Sequence, residues 1–163
     1  MRVAGFIEES IVDGPGVRFV VFAQGCPHEC EGCHNQQTWD PQGGKDATVK
    51  EISRMIKKKV KNIRGVTLSG GEPFLQASEM VLLAHKVKEM GLDIVTYTGY
   101  TYEKLQNLGL PGVQELLNAT DLLVDGPFLL EHRDIGLTFR GSTNQRVIDL
   151  VATRKTGQLT TIK

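Results

Sequence analysis

The sequence is short of several things. It has three cysteines and one tryptophan in 163 residues, and no excess of either charge, with 19 basic and 19 acidic side chains. Balanced charge excludes a global field that would draw the chain to nucleic acid or to an anionic membrane. No apolar run is long enough to span a bilayer, and Met1-Arg2-Val3-Ala4-Gly5 is not the start of a signal peptide. Neither membrane nor nucleic acid is therefore an expected partner. An odd number of cysteines crowded into one loop is no disulfide framework, and reduced, clustered thiols suit the cytoplasm. There is no Gly-x-Gly-x-x-Gly fingerprint for a nicotinamide or flavin. Repeats, low-complexity tracts and linkers are missing too, and the length suits one domain.

What is present centres on Gly25-Cys26-Pro27-His28-Glu29-Cys30-Glu31-Gly32-Cys33-His34, which holds every cysteine in a CxxxCxxC spacing. Thiolates grouped this way bind metal. A 4Fe-4S cluster usually takes four, so three would leave one iron open to a small molecule. Structural zinc wants four closed ligands, usually from two segments. Zinc held by Cys26, Cys30, Cys33 and one of His28, His34 or a distant histidine is the alternative. With no fourth cysteine there is no second cluster, and electrons must come from a separate protein such as a flavodoxin or ferredoxin.

Along the chain, residues 2–7 and the β-branched run Val17-Arg18-Phe19-Val20-Val21-Phe22 read as strands, the second covered on both faces. Thr48 and Glu51 have capping-box spacing. Val49, Ile52, Ile56, Val60 and Ile63 recur at helical spacing, with Lys57, Lys58, Lys59 and Lys61 on the polar face as a candidate dock for the electron donor. Further strands are expected at 65–68, 93–97 and 121–124, with helices at 78–90, 102–108 and 113–119. One or two more strands are expected from 137–141 and 146–150, then a polar, loosely held tail at 153–163. Strand, loop and helix in alternation predict a parallel sheet whose sites gather at the strands' carboxyl ends. There lie the cysteine loop, Ser69-Gly70-Gly71-Glu72, Thr98-Gly99-Tyr100 and Asp125-Gly126-Pro127. Gly70 and Gly71 let backbone approach a ligand closely. Among single residues, Trp39 reads as a packing lid, while His85 and His132 read as surface. Asp125 and Arg140 are site contacts or salt-bridge partners, and Asp13 and Arg18 are structural.

CxxxCxxC followed one βα unit later by Gly70-Gly71-Glu72-Pro73 resembles the radical S-adenosylmethionine enzymes. A narrower resemblance, over residues 5–150, is to the activating proteins of anaerobic ribonucleoside-triphosphate reductase. It is carried by Val12-Asp13-Gly14-Pro15-Gly16-Val17-Arg18, Gln24-Gly25-Cys26, Gly32-Cys33-His34-Asn35, Thr38-Trp39, Leu123-Val124-Asp125-Gly126-Pro127-Phe128 and Arg140-Gly141-Ser142-Thr143-Asn144-Gln145-Arg146.

The resemblance implies an α/β fold: a single-domain, partial and open parallel βα barrel over 1–163, with a core at about 5–150. It implies one 4Fe-4S cluster on Cys26, Cys30 and Cys33. S-adenosylmethionine would be contacted by Gly32, Cys33, His34, Gly70, Gly71 and Glu72, and no catalytic side chain is expected beyond cluster and cofactor. The implied activity is reductive cleavage of S-adenosylmethionine to make a glycyl radical on the large subunit of the reductase. Activation of another glycyl radical enzyme, such as pyruvate formate-lyase, and a non-enzymatic electron carrier or zinc module are the competing readings. The chain departs from the superfamily at Gly32, where an aromatic residue is usual. A stacking ring for adenine must come from elsewhere, with His34 and Tyr97 as candidates. Five or six strands cannot close an eight-stranded barrel, so an open side is expected through which a protein substrate enters.

Overall fold

The structure is a computed structural model that describes residues 1–33 and 35–162. The expectation for His34 lies outside the described residues. Four parallel strands form the centre: β2 (Arg18–Ala23), β4 (Gly65–Gly70), β5 (Asp93–Tyr97) and β6 (Leu122–Asp125). β1 (Arg2–Ser10) pairs antiparallel with β2, and β3 (Lys45–Asp46) pairs with β1. On the far side β7 (Arg146–Asp149) and β8 (Thr161–Ile162) add two more antiparallel strands, so one eight-stranded sheet runs β3-β1-β2-β4-β5-β6-β7-β8. The parallel core is as expected. The sheet has more strands than expected, however, and its flanks are antiparallel because hairpin-like returns replace crossovers there.

The crossover helices cover one face. α1 (Val49–Lys57) starts where expected, Thr48 Oγ1 accepting from Glu51 N at 3.0 Å. It buries Ile52 and Ile56 but ends at Lys57, short of the apolar periodicity. The chain tightens there into three-residue turns, with Lys59 N bonded to Ile56 O and Asn62 N to Lys59 O, and Ile63 still reaches the core. α2 (Ala77–Glu89) buries Met80, Val81, Leu83, Ala84 and Val87 and stops before Gly91 at φ 80°. α3 (Tyr102–Gln106) and α4 (Val113–Ala119) bridge β5 to β6. Phe19, Val21, Val66, Leu68, Ile94 and Leu123 on the sheet meet these helices in the main core. Each such fully buried side chain contributes about 1.5–3 kcal/mol. The opposite face carries a smaller cluster, Val95, Val124 and Val147, with Tyr97 and Leu122 against it.

Two expectations fail. Residues 137–141 are bend and irregular backbone, tied to the rest by a bridge between Arg133 and Ser142, because no strand lies alongside to give them a ladder. The tail is built, not loose: Asp149 caps α5 (Leu150–Thr156) by accepting from Ala152 N, Gly157 ends it, and β8 follows. Among the described residues no helix is long and apolar enough to cross a membrane.

Candidate functional site: a cysteine loop at the carboxyl-end rim

β2 ends at Ala23 and hands the chain to the cysteine loop. Gly25 N donates to Thr38 O at 2.6 Å and Cys26 N to Trp39 O at 3.1 Å, so both ends of the loop are stitched together. Gln24 Nε2 donates to Gln37 O and Asp40 O. All three cysteines are free thiols, half-buried. Burial pushes the Cys26 thiol up to about 11, against the pull of the His28 backbone N–H, while Glu72, Cys30 and Cys33 add to the rise. Cys30 is raised by burial too, against a hydrogen bond from the Phe128 backbone. A bound cationic centre would reverse the cost of burying these two thiols by stabilising their thiolates.

The Gly70-Gly71-Glu72 turn lies against this loop. Gly71 N donates to Ala23 O at 2.9 Å and Glu72 N to Gly25 O at 2.7 Å, so the turn's amides are engaged by β2 and the loop. A β-carbon on Gly71 would sit 2.4 Å from Gly25 O, which glycine alone avoids.

Glu72 itself is fully buried. Its carboxylate accepts from His28 Nε2 at 2.6 Å, from Thr98 Oγ1 at 2.9 Å, from Gly99 N at 2.8 Å and from Phe74 N at 3.2 Å. A carboxylate only accepts, so the His28 proton is on Nε2. The His28 ring stands edge-on to Tyr100, centroids 4.5 Å apart. One buried acid thus joins the cysteine loop to the end of β5. His28 was named from the sequence only as an alternative zinc ligand, and Thr98 and Gly99 were not singled out beyond their place at a strand end on the same rim.

The Asp125-Gly126-Pro127-Phe128 strand end completes the rim. Asp125 is buried, accepts from Tyr102 N at 2.8 Å and pairs with Arg146, whose guanidinium also meets Glu103 at 2.8 Å. Asp125 is therefore a salt-bridge partner, and Arg140 donates to Gln145 O. Residues 140–146 pin the strand-end loop: Asn144 Nδ2 donates to Pro127 O at 2.8 Å, Gln145 Nε2 to Gly126 O at 3.0 Å, and Leu129 N to Ser142 Oγ at 3.2 Å. A cavity of about 500 Å³ lies beside Cys30, lined by His28, Pro127, Phe128, Leu129 and Leu130.

Other sequence candidates fall elsewhere. Lys57, Lys58, Lys59 and Lys61 precede β4 and so lie at the amino-end rim, a six-residue strand or about 20 Å from the cysteine loop. Lys59 is also paired with Glu8 and Glu9. Arg18 pairs with Asp93 while Asp13 accepts from Ser10, so both are structural. Tyr97 sits in the smaller cluster, its hydroxyl raised by burial and then by Asp13. His85 and His132 are exposed.

The donor set fits a cluster. Three free thiols on one loop suit a cubane in which three irons each take one thiolate. Trp39, beside Cys26, also keeps a buried indole N–H with no partner.

The sequence matches the family described as a 4Fe-4S single cluster domain over residues 12–148. It is 41% identical over 143 residues to the anaerobic ribonucleoside-triphosphate reductase-activating protein of Vibrio cholerae, covering 83% of this chain and 89% of that one. To the pyruvate formate-lyase 1-activating enzyme of Escherichia coli it is 36% identical, over 76% of this chain and 50% of that protein. Among solved structures, QueE from Escherichia coli is similar over 61% of this chain and 52% of its own, with 19% identity and a TM-score of 0.48. With a cluster-domain match across most of its length and a relative aligned almost end to end, the chain belongs to the family of anaerobic ribonucleoside-triphosphate reductase-activating proteins.

Proposed function

We propose that this chain is a radical S-adenosylmethionine activase that places a glycyl radical on the large subunit of an anaerobic ribonucleoside-triphosphate reductase. The observation that carries the reading is the meeting, on one rim, of three free thiols with the Gly70-Gly71-Glu72 turn, tied together through His28 and Glu72. Cys26, Cys30 and Cys33 would hold three irons of one 4Fe-4S cluster and leave the fourth to the amino and carboxylate groups of S-adenosylmethionine. When bound, the cluster supplies the electron that splits the sulfonium into methionine and a 5'-deoxyadenosyl radical, which takes a hydrogen atom from a backbone glycine of the partner.

The chain's own residues bind and orient. An ammonium needs acceptors, and with the amides of Gly71 and Glu72 engaged, the backbone of residues 70–72 can offer it carbonyl oxygens. Buried Glu72 fixes that turn. Gly32, Cys33 and His34 would face the nucleoside through their backbone. We read residues 1–163 as one domain, which the single sheet supports, and the architecture as a partial barrel. β3 and β8 are the two ends of the strand order, which supports an open side for the reductase glycine loop. A flavodoxin or ferredoxin-type donor would dock near the cysteine loop, since the four lysines lie at the other rim. The free thiols support a cytoplasmic setting.

Anaerobic iron and sulfide reconstitution tests this. A brown protein that forms 5'-deoxyadenosine under reduction, and a glycyl radical signal by electron paramagnetic resonance on mixing with the reductase, are expected. A colourless protein that takes up only zinc would overturn it. A radical on pyruvate formate-lyase but not on the reductase would reassign the partner.

A further inference from the structure

Gly32 has φ +75°, and a β-carbon built on it would lie 2.8 Å from Leu130 Cδ1 and 3.4 Å from Phe128 Cε2. The space a side chain at 32 would need is thus filled by Leu130, from the segment after β6, with the Phe128 ring in contact beside it. The Phe128 ring is bounded elsewhere by Gly141, whose built β-carbon would come 3.0 Å from Cδ1 and 3.2 Å from Cε1. The ring therefore packs against two glycines, tightly at Gly141 and in ordinary contact at Gly32.

Its backbone is held as tightly. The carbonyls of Gly126 and Pro127 accept from Gln145 and Asn144, Leu129 N donates to Ser142, and the Phe128 backbone hydrogen-bonds Cys30. Gln145 Oε1 in turn accepts from Gly141 N at 2.9 Å and Ser142 N at 3.2 Å, closing residues 140–146 on themselves. The ring lines the cavity beside Cys30, whose volume of about 500 Å³ is that of a nucleoside-sized site.

We infer that Phe128 is the ring on which the adenine of S-adenosylmethionine stacks, seated beside Gly32 by residues 140–146. The inference rests on the proposed use of S-adenosylmethionine. Every nucleobase has a π-face, and an apolar six-membered ring at a cavity wall is its natural partner. Residues 140–146 are then positioning residues, acting on the base through Phe128.

The test uses the reconstituted full chain under anaerobic conditions. Dissociation constants are measured for S-adenosylmethionine, for 5'-methylthioadenosine, which keeps the base but lacks the α-amino and carboxylate groups, and for methionine, which has those groups but no base. Cluster content is read by absorption. Phe128→Leu, which keeps an apolar side chain and loses the ring, should weaken both adenine-bearing ligands about tenfold, with methionine binding and cluster content unchanged. Phe128→Tyr should bind like the parent, and Gln145→Ala should fall between.

Equal affinities in Phe128→Leu and parent would overturn the inference while leaving the proposed function standing. So would an equal loss for methionine, because the effect would then not pass through the base. If Phe128→Leu loads no cluster, Phe128→Tyr decides, and loss of methylthioadenosine binding with its cluster intact counts against the inference. A loaded parent chain that binds no S-adenosylmethionine would remove the proposed function itself.

Discussion

Two charged side chains are fully buried at opposite ends of the same parallel strands, Arg18 at the amino-end rim and Glu72 at the carboxyl-end rim. Arg18 is answered from within the sheet. It donates to Thr67 Oγ1, Pro15 O and Val66 O and meets the Asp93 carboxylate, so the charge is neutralised where it lies. Burial lowers its pKa and Asp93 works against that fall. Glu72 is answered by donors from separate segments: His28 in the cysteine loop, Phe74 in its own turn, Thr98 and Gly99 past β5. The first arrangement holds a sheet together. The second holds loops in position relative to one another, which a fold does not need but a site does. A buried charge is seldom the most stable filling of its volume, so Glu72 is better explained by what it positions.

The comparison can be broken most severely at the carboxyl-end rim. Cys30→Ala should abolish cluster colour and S-adenosylmethionine cleavage while leaving the unfolding free energy of the metal-free chain, by urea, within about 0.5 kcal/mol of the parent; retained cleavage would refute the ligand assignment. Arg18→Ala should do the reverse. It leaves Asp93 without its buried partner and should cost about 3 kcal/mol by urea unfolding, the low end of the range because Asp93 is a third exposed. The folded fraction should load a normal cluster.

Glu72→Gln retains the shape but puts an amide donor where four donors converge, and should cost about 2 kcal/mol. If the carboxylate positions the turn, affinity for S-adenosylmethionine should fall in the same variant at full cluster content. Unchanged affinity would make Glu72 as purely structural as Arg18. His28→Ala removes one of those donors and should cost about 1 kcal/mol. The smallest effect is expected from Lys57→Glu, Lys58→Glu and Lys61→Glu combined: the rate of reduction by the electron donor should hold across a salt series, because these groups stand at the amino-end rim. A rate that fell and became salt-independent would place the donor there.

How far the sequence could be read follows from the range of each interaction. The Thr48–Glu51 cap and the helices that became α2 and α4 depend on residues within a turn or two, and all were expected from the sequence. The parallel centre followed from alternation of strand and helix. The tail was missed because α5 buries only Leu150 and Thr153, too little to give a periodic signal. Residues 137–141 misled for the opposite reason, strand-like composition with no neighbour to pair with. His28 was marked by its place in the cysteine motif, but its bond to Glu72, 44 residues away, had no local signal.

By itself the sequence determined the chemistry on offer: three thiolates and no fourth, a glycine turn, and no side chain at position 32. Those are facts of composition and spacing, and no packing alters them. Only the tertiary structure decided that Glu72 turns inward to His28 and Thr98, and that Leu130 and Phe128 pack beside Gly32. Both contacts join segments distant in the chain, and they exist because strand order and register bring four strand ends to one rim, which local periodicity does not encode.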